Sequence, residues 1–222
     1  QLPQAMTYLN CSNTHISALP EPLPHTLTYL NCGGCIHLHM LPQLPQTLTH
    51  LVVSDNSLTL QKLPESLTTL ICDSTYISTL PLLPPSLTHL NVSLTHIRSL
   101  PPLPDSLHSL ACNRSPLQRL PSSLPTSLHF LNCSETRIST LPPLPPQLLF
   151  LICHKTSIRT LPGLPQSLRA LDCTASPLRE LPVLPTGLRV LCCDTALRST
   201  TTLPNSLQFQ RSQALRAGAL EG

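Results

Sequence analysis

The chain has 222 residues, of which 26 are Pro and only 6 are Gly, and charged residues make up 10%, against about 25% in an ordinary soluble domain. Apolar residues reach 41%, mostly Leu, which argues against intrinsic disorder, since disordered chains combine low hydrophobicity with high charge. The net charge of +3 is too small for a nucleic-acid footprint, and no apolar stretch approaches the roughly 18 residues of a transmembrane helix.

A repeat governs the whole chain from its first residues onward. Residues 63–82, LPESLTTLICDSTYISTLPL, show the unit clearly, and successive units begin 19 to 21 residues apart. Because the chain opens inside a unit, at Gln1-Leu2-Pro3, without a signal-peptide pattern, we expect a fragment or a trimmed mature chain. The units begin at Leu2, Leu23, Leu44, Leu63, Leu83, Leu103, Leu124, Leu144, Leu164, Leu184 and Leu203.

Each unit predicts one short strand followed by an extended return. Around Leu70-Ile71-Cys72 the side chains alternate between inward and outward, as in a strand, and adjacent units would pair in parallel. The second Leu-Pro of each unit forbids a regular helix, because proline lacks an N–H and restricts the residue before it. We therefore predict an all-β solenoid of about ten and a half turns over residues 1–210, with a polyproline-II-like outer side and few or no helices. Residues 211–222 are predicted to be a C-terminal tail or partial cap.

The unit LxxLxCxxTxIxxLPxLP resembles the short bacterial leucine-rich repeat, LxxLxVxxNxLxxLPxLP, across residues 2–207. That repeat occurs in type III secreted effectors of the YopM and IpaH/SspH groups, the second of which are ubiquitin ligases. The resemblance implies a leucine-rich-repeat solenoid whose concave strand face binds a protein. Two departures stand out: Thr or Ser mostly replaces the usual Asn, which Asn56 alone retains, and Cys mostly replaces the usual Val.

Eight of the ten cysteines share one position of the repeat, which we call the cysteine column. Val53 and Val92 fill the same position in two other turns, so the site accepts a small apolar side chain and predicts a ladder of buried thiols. Disulfides between adjacent turns of this column are disfavoured because side chains pointing in parallel suit the dihedral angle poorly, and no pair of CxxC motifs indicates zinc. The one CxxC, Cys32-Gly33-Gly34-Cys35, places Cys35 at the Thr position, where we expect it to be structural. The column comprises Cys11, Cys32, Cys72, Cys112, Cys133, Cys153, Cys173 and Cys193.

Reduced thiols favour a reducing compartment, either host cytoplasm after secretion or the cytoplasm of a bacterium or protist. No catalytic motif is convincing: Cys192-Cys193-Asp194 matches the ligase Cys-x-Asp signature but falls within a predicted repeat strand. The ten His occupy several repeat positions without dedicated carboxylates and are interpreted as scattered surface residues. We expect no enzyme activity from this chain, no cofactor and no metal.

The outward strand positions supply the candidate binding face. Five of the six Tyr and Phe in the chain occupy the position just before the second strand Leu, which is where interface anchors would be exposed. The next outward position mixes amides with aliphatic residues and suits a protein ligand. The alternative is that the rings pack on one another along the ladder and shield the strand edges. The predicted partner-binding residues are Tyr8, Tyr29, His50, His89, Phe130, Phe150, Asn31, Asn91, Asn132 and Asp172.

Three functions fit this pattern. The leading hypothesis is a protein-binding module, the recognition part of a bacterial effector delivered to host cells. The second is the substrate-recognition half of an E3 ubiquitin ligase whose catalytic domain is separate. The third is a cell-surface adhesion or structural repeat protein, for which paired cysteines would be evidence. Uncapped repeat ends also predict self-association.

Overall fold

The computed structural model describes residues 2–194, Leu197 and the backbone of residues 208–209. Short strands recur at the predicted position of every turn. The strands are β1 (Tyr8–Asn10), β2 (Tyr29–Asn31), β3 (His50–Val52), β4 (Thr69–Ile71), β5 (His89–Asn91), β6 (Ser109–Ala111), β7 (Phe130–Asn132), β8 (Phe150–Ile152), β9 (Ala170–Asp172), β10 (Val190–Cys192) and β11 (Gln208–Phe209).

These strands form one parallel sheet in which each strand pairs with the next along the chain. From β1 to β10 the register places equivalent repeat positions side by side, as in Leu70 opposite Leu90 of the following turn. At β11 it is shifted by one residue, so that Phe209 lies opposite Leu191 and not opposite Val190. Over residues 2–194 no helix interrupts the coils. The predicted solenoid of parallel strands is confirmed, and the predicted tail, residues 211–222, lies outside the described residues.

Backbone hydrogen bonds extend the ladder on both sides of each strand. At the start of β3, the amides of Thr49 and His50 both donate to the Thr28 carbonyl of the preceding turn, at 2.9 and 3.0 Å. Beyond β4, the amides of Cys72 and Ser74 donate to Asn91 and Ser93 of the following turn, both at 2.9 Å. A strand of three residues is therefore anchored over a longer segment, which offsets the weak pairing of so short an element.

The core consists of stacked columns of Leu side chains together with the cysteine column. The central strand Leu of β4, Leu70, is fully buried, and Ile77 on the return segment packs into the same cluster. Cys72 and Cys112 are fully buried, as are Val53 and Val92 in the equivalent positions, so the predicted inward thiol ladder is confirmed. Cys11, just after β1, is only half-buried.

A tight turn follows the cysteine column and is closed by the next small polar residue. Thr75 donates its hydroxyl to the Cys72 carbonyl at 2.7 Å, whereas Asn56 donates to two carbonyls, Val53 at 3.2 Å and Cys32 of the preceding turn at 2.8 Å. The hydroxyl thus closes its own turn but makes fewer bonds than the amide it replaces, as expected. The residue before it has a positive φ in every described turn: Asn13, Gly34, Asp55, Ser74, Leu94, Arg114, Glu135, Lys155 and Ala175.

The Ser or Thr of the LPxS segment has a role that the sequence did not predict. Ser106 points its hydroxyl at two carbonyls of the preceding turn, Pro85 at 2.6 Å and Leu87 at 2.7 Å. Equivalent bonds join Thr26, Thr47, Ser86 and Ser127 to the turns before them. These side chains connect successive turns just before each strand begins.

Among the described residues, no helix is long and apolar enough to cross a membrane.

Candidate protein-binding face

The first residue of each strand points away from the Leu core and forms what we call the ring column. It begins with the exposed Tyr8, and it includes His50 and His89, which are also exposed. Tyr29, Phe130 and Phe150 are half-buried. The column comprises Tyr8, Tyr29, His50, Thr69, His89, Ser109, Phe130, Phe150, Ala170 and Val190.

Neighbouring rings in this column contact one another. Tyr8 and Tyr29 stack with their centroids 4.4 Å apart and their planes 9° from parallel, and His50 follows Tyr29 at 6.1 Å. Phe130 and Phe150 form a second group, with centroids 6.5 Å apart. The rings that were predicted to bind a partner are therefore the same rings that pack on one another, and both interpretations of the sequence fit the observed geometry. Because stacking restricts the rings before any ligand arrives, the entropic cost of ordering them on binding is reduced.

The third residue of each strand forms the amide column, and its amides already have structural partners. The Oδ1 atoms of Asn31, Asn91 and Asn132 accept the backbone amide two residues further on, at 2.9, 3.1 and 3.1 Å. These oxygens shape the turn after the strand, so only the Nδ2 groups remain to meet a ligand. One of them, Asn91 Nδ2, lies 3.4 Å from Asp73 Oδ1.

Asp172 is a correction to the predicted face. We expected an exposed carboxylate in the amide column, but its side chain is 0% exposed. It accepts the hydroxyl of Thr174 at 2.8 Å and lies 3.2 Å from His154 Nδ1. Ile152, Ala170 and Cys192 around it are also buried, so the strand face is open along β1–β7 and closed along β8–β10.

His154, itself buried, links Asp172 to a group of charges near the closed end. Its Nε2 lies 3.6 Å from Glu135, which also meets Arg114 at 3.2 Å and Lys155 at 3.7 Å. Burial alone would raise the pKa of Asp172, but hydrogen bonds from His154 and Thr174 outweigh it and hold that pKa below its usual value. The pKa of Glu135 is likewise lowered, chiefly by Arg114 against the opposing effect of burial. We call these five side chains the charge cluster.

The structure also gathers histidines that the sequence suggested were scattered. His108 and His129, one position ahead of the ring column, stack at 5.3 Å with planes 2° apart. His89 lies close enough to His108 and His50 that their charges, together with burial as the larger effect, lower its pKa. Sequence spacing hid this group because its members occupy two adjacent repeat positions that share one surface.

Two of the six Tyr and Phe lie outside the ring column. Tyr76 is 71% exposed on another side of the coil, where its ring meets His96 edge-on at 5.4 Å. Phe209, which the sequence placed in the ring column, lies opposite Leu191 in the sheet, so that expectation is wrong. The side chain of Phe209 lies outside the described residues. Cys192 and Cys193 of the Cys-Asp sequence are buried. No group of three or more His, Cys, Asp or Glu in the described part of the chain is arranged to hold a metal ion.

Comparison of whole structures identifies relatives of this fold. The chain is similar to YopM from Yersinia enterocolitica WA-314, with 33% identity and a TM-score of 0.77 over 95% of this chain and 52% of YopM. It is similar to YopM of Yersinia pestis, described as a leucine-rich effector protein, with 32% identity and a TM-score of 0.82 over 94% of this chain and 61% of that one. The chain thus spans roughly half to three fifths of the YopM chains.

A more distant likeness concerns the fold alone. The functional domain of InlJ from Listeria monocytogenes, which includes a cysteine ladder, matches at 21% identity with a TM-score of 0.68, covering 93% of this chain and 55% of that one. Comparisons by sequence gave no match to a protein-family model or to a curated protein.

Proposed function

We propose that this chain, a leucine-rich-repeat protein of the short 20-residue class seen in YopM, binds a folded partner protein through the open strand face on β1–β7 and the adjoining half-buried ring of Phe150 at the start of β8. The leucine-rich-repeat fold itself supports a protein-interaction module. In this proposal the stacked rings of the ring column are the anchors and the amide Nδ2 groups are the accompanying donors.

The observation that carries the proposal is the stacking of exposed and half-buried rings at outward strand positions, where the core does not need them. Tyr8 is 56% exposed and stacks on Tyr29, although the Leu residues beside them already fill the interior. Large rigid rings give contact area at low entropic cost, which is why Tyr and Trp dominate the energetic centres of protein interfaces. The open face carries few fixed charges near these rings, so a protein fits it better than a polyanion does.

A second part of the proposal concerns the cellular compartment in which the chain acts. Similarity to a leucine-rich effector supports a role as the recognition part of a bacterial effector that acts in host cytoplasm. Buried reduced thiols such as Cys72, Cys112 and Cys133 fit such a reducing compartment. Activities and partners of the longer relatives do not transfer to this chain without experiment.

Affinity capture from host-cell lysate tests the face. The triple variant Tyr29→Ala/Phe130→Ala/Phe150→Ala should reduce recovery of a specific partner by about tenfold or more, since truncated anchors commonly cost 1–2 kcal/mol each. A matched control truncates three exposed apolar residues elsewhere, Tyr76→Ala/Leu82→Ala/Val183→Ala, and should leave recovery unchanged. Equal recovery by the ring variant and the wild type would rule out the proposed face.

A further inference from the structure

The return segments, which follow the turn-closing residues, carry arginines on the second half of the solenoid. Each of the five consecutive return segments after β5–β9 has one exposed arginine, whereas the segments after β1–β4 have none. We call these five side chains the arginine row. It comprises Arg98, Arg119, Arg137, Arg159 and Arg179.

Backbone hydrogen bonds hold these segments side by side. The amide of Arg137 donates to the Leu117 carbonyl of the preceding turn, and the amide of Ser157, two residues before Arg159, donates to the Ile138 carbonyl, both at 2.9 Å. Leu117 and Ile138 are buried, so the side chains flanking them are directed outward. At the roughly 5 Å spacing of neighbouring extended segments, five successive arginines cover about 20 Å.

The arginine row has no counterions in the described part of the chain. Every ion pair there is made by Arg114, Lys155 or His154, none of which belongs to the row. Like charges on neighbouring extended segments repel one another and lower stability. An anionic ligand that neutralised the row would remove this repulsion, which favours its binding.

The surroundings of the row are also basic. Residues 97–183 hold eight Arg or Lys and four Asp or Glu, whereas residues 2–96 hold one and four. Two of the four acidic side chains, Glu135 and Asp172, are already engaged in the charge cluster. The small net charge of the whole chain therefore conceals a positively charged region around the arginine row.

The chemistry of the row favours carboxylates over nucleic acid. A guanidinium group is planar and always charged, and it donates two parallel hydrogen bonds to a carboxylate. Proteins that bind single-stranded nucleic acid add aromatic side chains on which the bases stack. The return segments after β5–β9 contain no Tyr, Phe or Trp, so that second element is missing from the row.

We propose that the arginine row is a second docking surface, separate from the strand face, which binds an extended segment rich in Asp and Glu on a partner protein. An extended segment of about six or seven residues matches the length of the row. Its carboxylates accept paired hydrogen bonds from the exposed guanidinium groups. This binding does not require the rings of the ring column, so either surface can be disabled without the other.

The test titrates the whole chain into a fluorescein-labelled peptide of about eight residues, alternating Glu and Ser, and follows fluorescence anisotropy at low ionic strength. The wild type should bind the peptide saturably, and added salt should weaken binding. The variant Arg119→Gln/Arg137→Gln/Arg159→Gln should raise the Kd by about tenfold or more, because it removes three of the five guanidinium groups. The far-UV circular dichroism spectrum of the variant should match that of the wild type, since all three side chains are exposed.

A matched control removes the same amount of charge from exposed positions outside the row. Lys62→Gln/Arg169→Gln/Arg189→Gln should change the Kd by less than about twofold, because its side chains are not aligned with the peptide. Equal losses in the two variants, or no saturable binding by the wild type, would overturn the proposal. Tighter binding of a fluorescein-labelled uridine oligonucleotide of the same charge would also overturn it and assign the row to nucleic acid.

Discussion

At the scale of single residues, one hydroxyl closes the turn that follows β1 and each of the strands β4–β8. Thr75, Thr95 and Thr136 each donate to the carbonyl three residues earlier, at 2.7 to 2.8 Å, and each is buried. A buried carbonyl left without a donor costs about 1–3 kcal/mol, because water cannot reach it. The Thr that replaces the usual Asn therefore preserves the essential bond and gives up only the second one.

Thr75→Val removes this hydroxyl while nearly conserving shape. We expect the free energy of unfolding to fall by about 1–2 kcal/mol, since the Cys72 carbonyl loses its donor. Urea unfolding followed by circular dichroism measures the change. Thr75→Ser keeps the hydroxyl and should lose less, and a loss as large as that of Thr75→Val would mean that the methyl group, not the hydrogen bond, supplies the stability.

The residue scale also shows where sequence reasoning succeeded and where it stopped. Val53 and Val92 made the inward direction of the thiols predictable, because a column shared by Cys and Val must be apolar. The burial of Asp172 was not predictable, since it depends on His154 and Thr174, which meet it only through the fold. Comparing equivalent positions of successive repeats in the sequence does not reveal contacts between residues at different positions.

At the scale of elements, the cysteine column behaves as one unit with a shared pH response. Burial raises the pKa of Cys72 and of Cys133 to about 12, against 9.0 for an ordinary thiol. Each is an acid whose folded pKa lies above its unfolded value. Its contribution to stability is therefore complete below about pH 9 and is lost as pH rises toward 12, because only the unfolded chain releases the proton.

We expect the free energy of unfolding to decrease between pH 8 and pH 10, by about 1 kcal/mol for each buried thiol. Cys133→Val should show a smaller decrease than the wild type by that amount, at little cost in stability at pH 8. Urea titrations at both pH values, with reductant present, measure the difference. An identical decrease in the variant would contradict the assignment of alkaline sensitivity to the column.

The charge cluster responds at the opposite end of the pH scale. The folded-state pKa values of Asp172 and Glu135 lie below their ordinary values. Such groups stabilise the fold above about pH 4, and that stabilisation is lost as pH falls and the folded carboxylates take up protons. The cluster reaches from the turn of Arg114 to the turn of Asp172, so its loss weakens several adjacent turns together.

Asp172→Asn should lower the free energy of unfolding at pH 7 by about 2 kcal/mol, because it removes a charge-assisted hydrogen bond from His154. The same variant should lose less stability than the wild type between pH 7 and pH 3. Asp105→Asn, which alters an exposed carboxylate, serves as the comparison and should follow the wild type at both pH values. If Asp172→Asn retains the full acid sensitivity of the wild type, the cluster is not its source.

At the scale of the whole molecule, repetition explains both the fold and the binding face. Each turn contacts its immediate neighbours, so a regular spacing of Leu-Pro was enough to place every strand from Tyr8–Asn10 to Val190–Cys192. The same regularity aligns outward residues into columns, which brought Tyr8 onto Tyr29 and Phe130 onto Phe150. The closure of the face at β8–β10 breaks this symmetry and was not evident from the repeat.

Along β1–β7 the open strand face is one continuous accessible surface, which ends where the third strand position becomes buried, from Ile152 of β8 onward. Both ring groups border it, and the histidines at positions 89, 108 and 129 lie between or beside them. A folded protein that spans this region would contact both groups of rings at once, as the proposed binding mode requires.

Site-specific photo-crosslinking tests that requirement most directly. A benzophenone amino acid placed at Phe130, on the open face, should form a covalent adduct with the partner recovered by affinity capture. The same probe at Tyr76, which is more exposed than Phe130 but lies off the face, should form none. Adducts at Tyr76 with none at Phe130 would contradict the claim that the ring column is the binding surface.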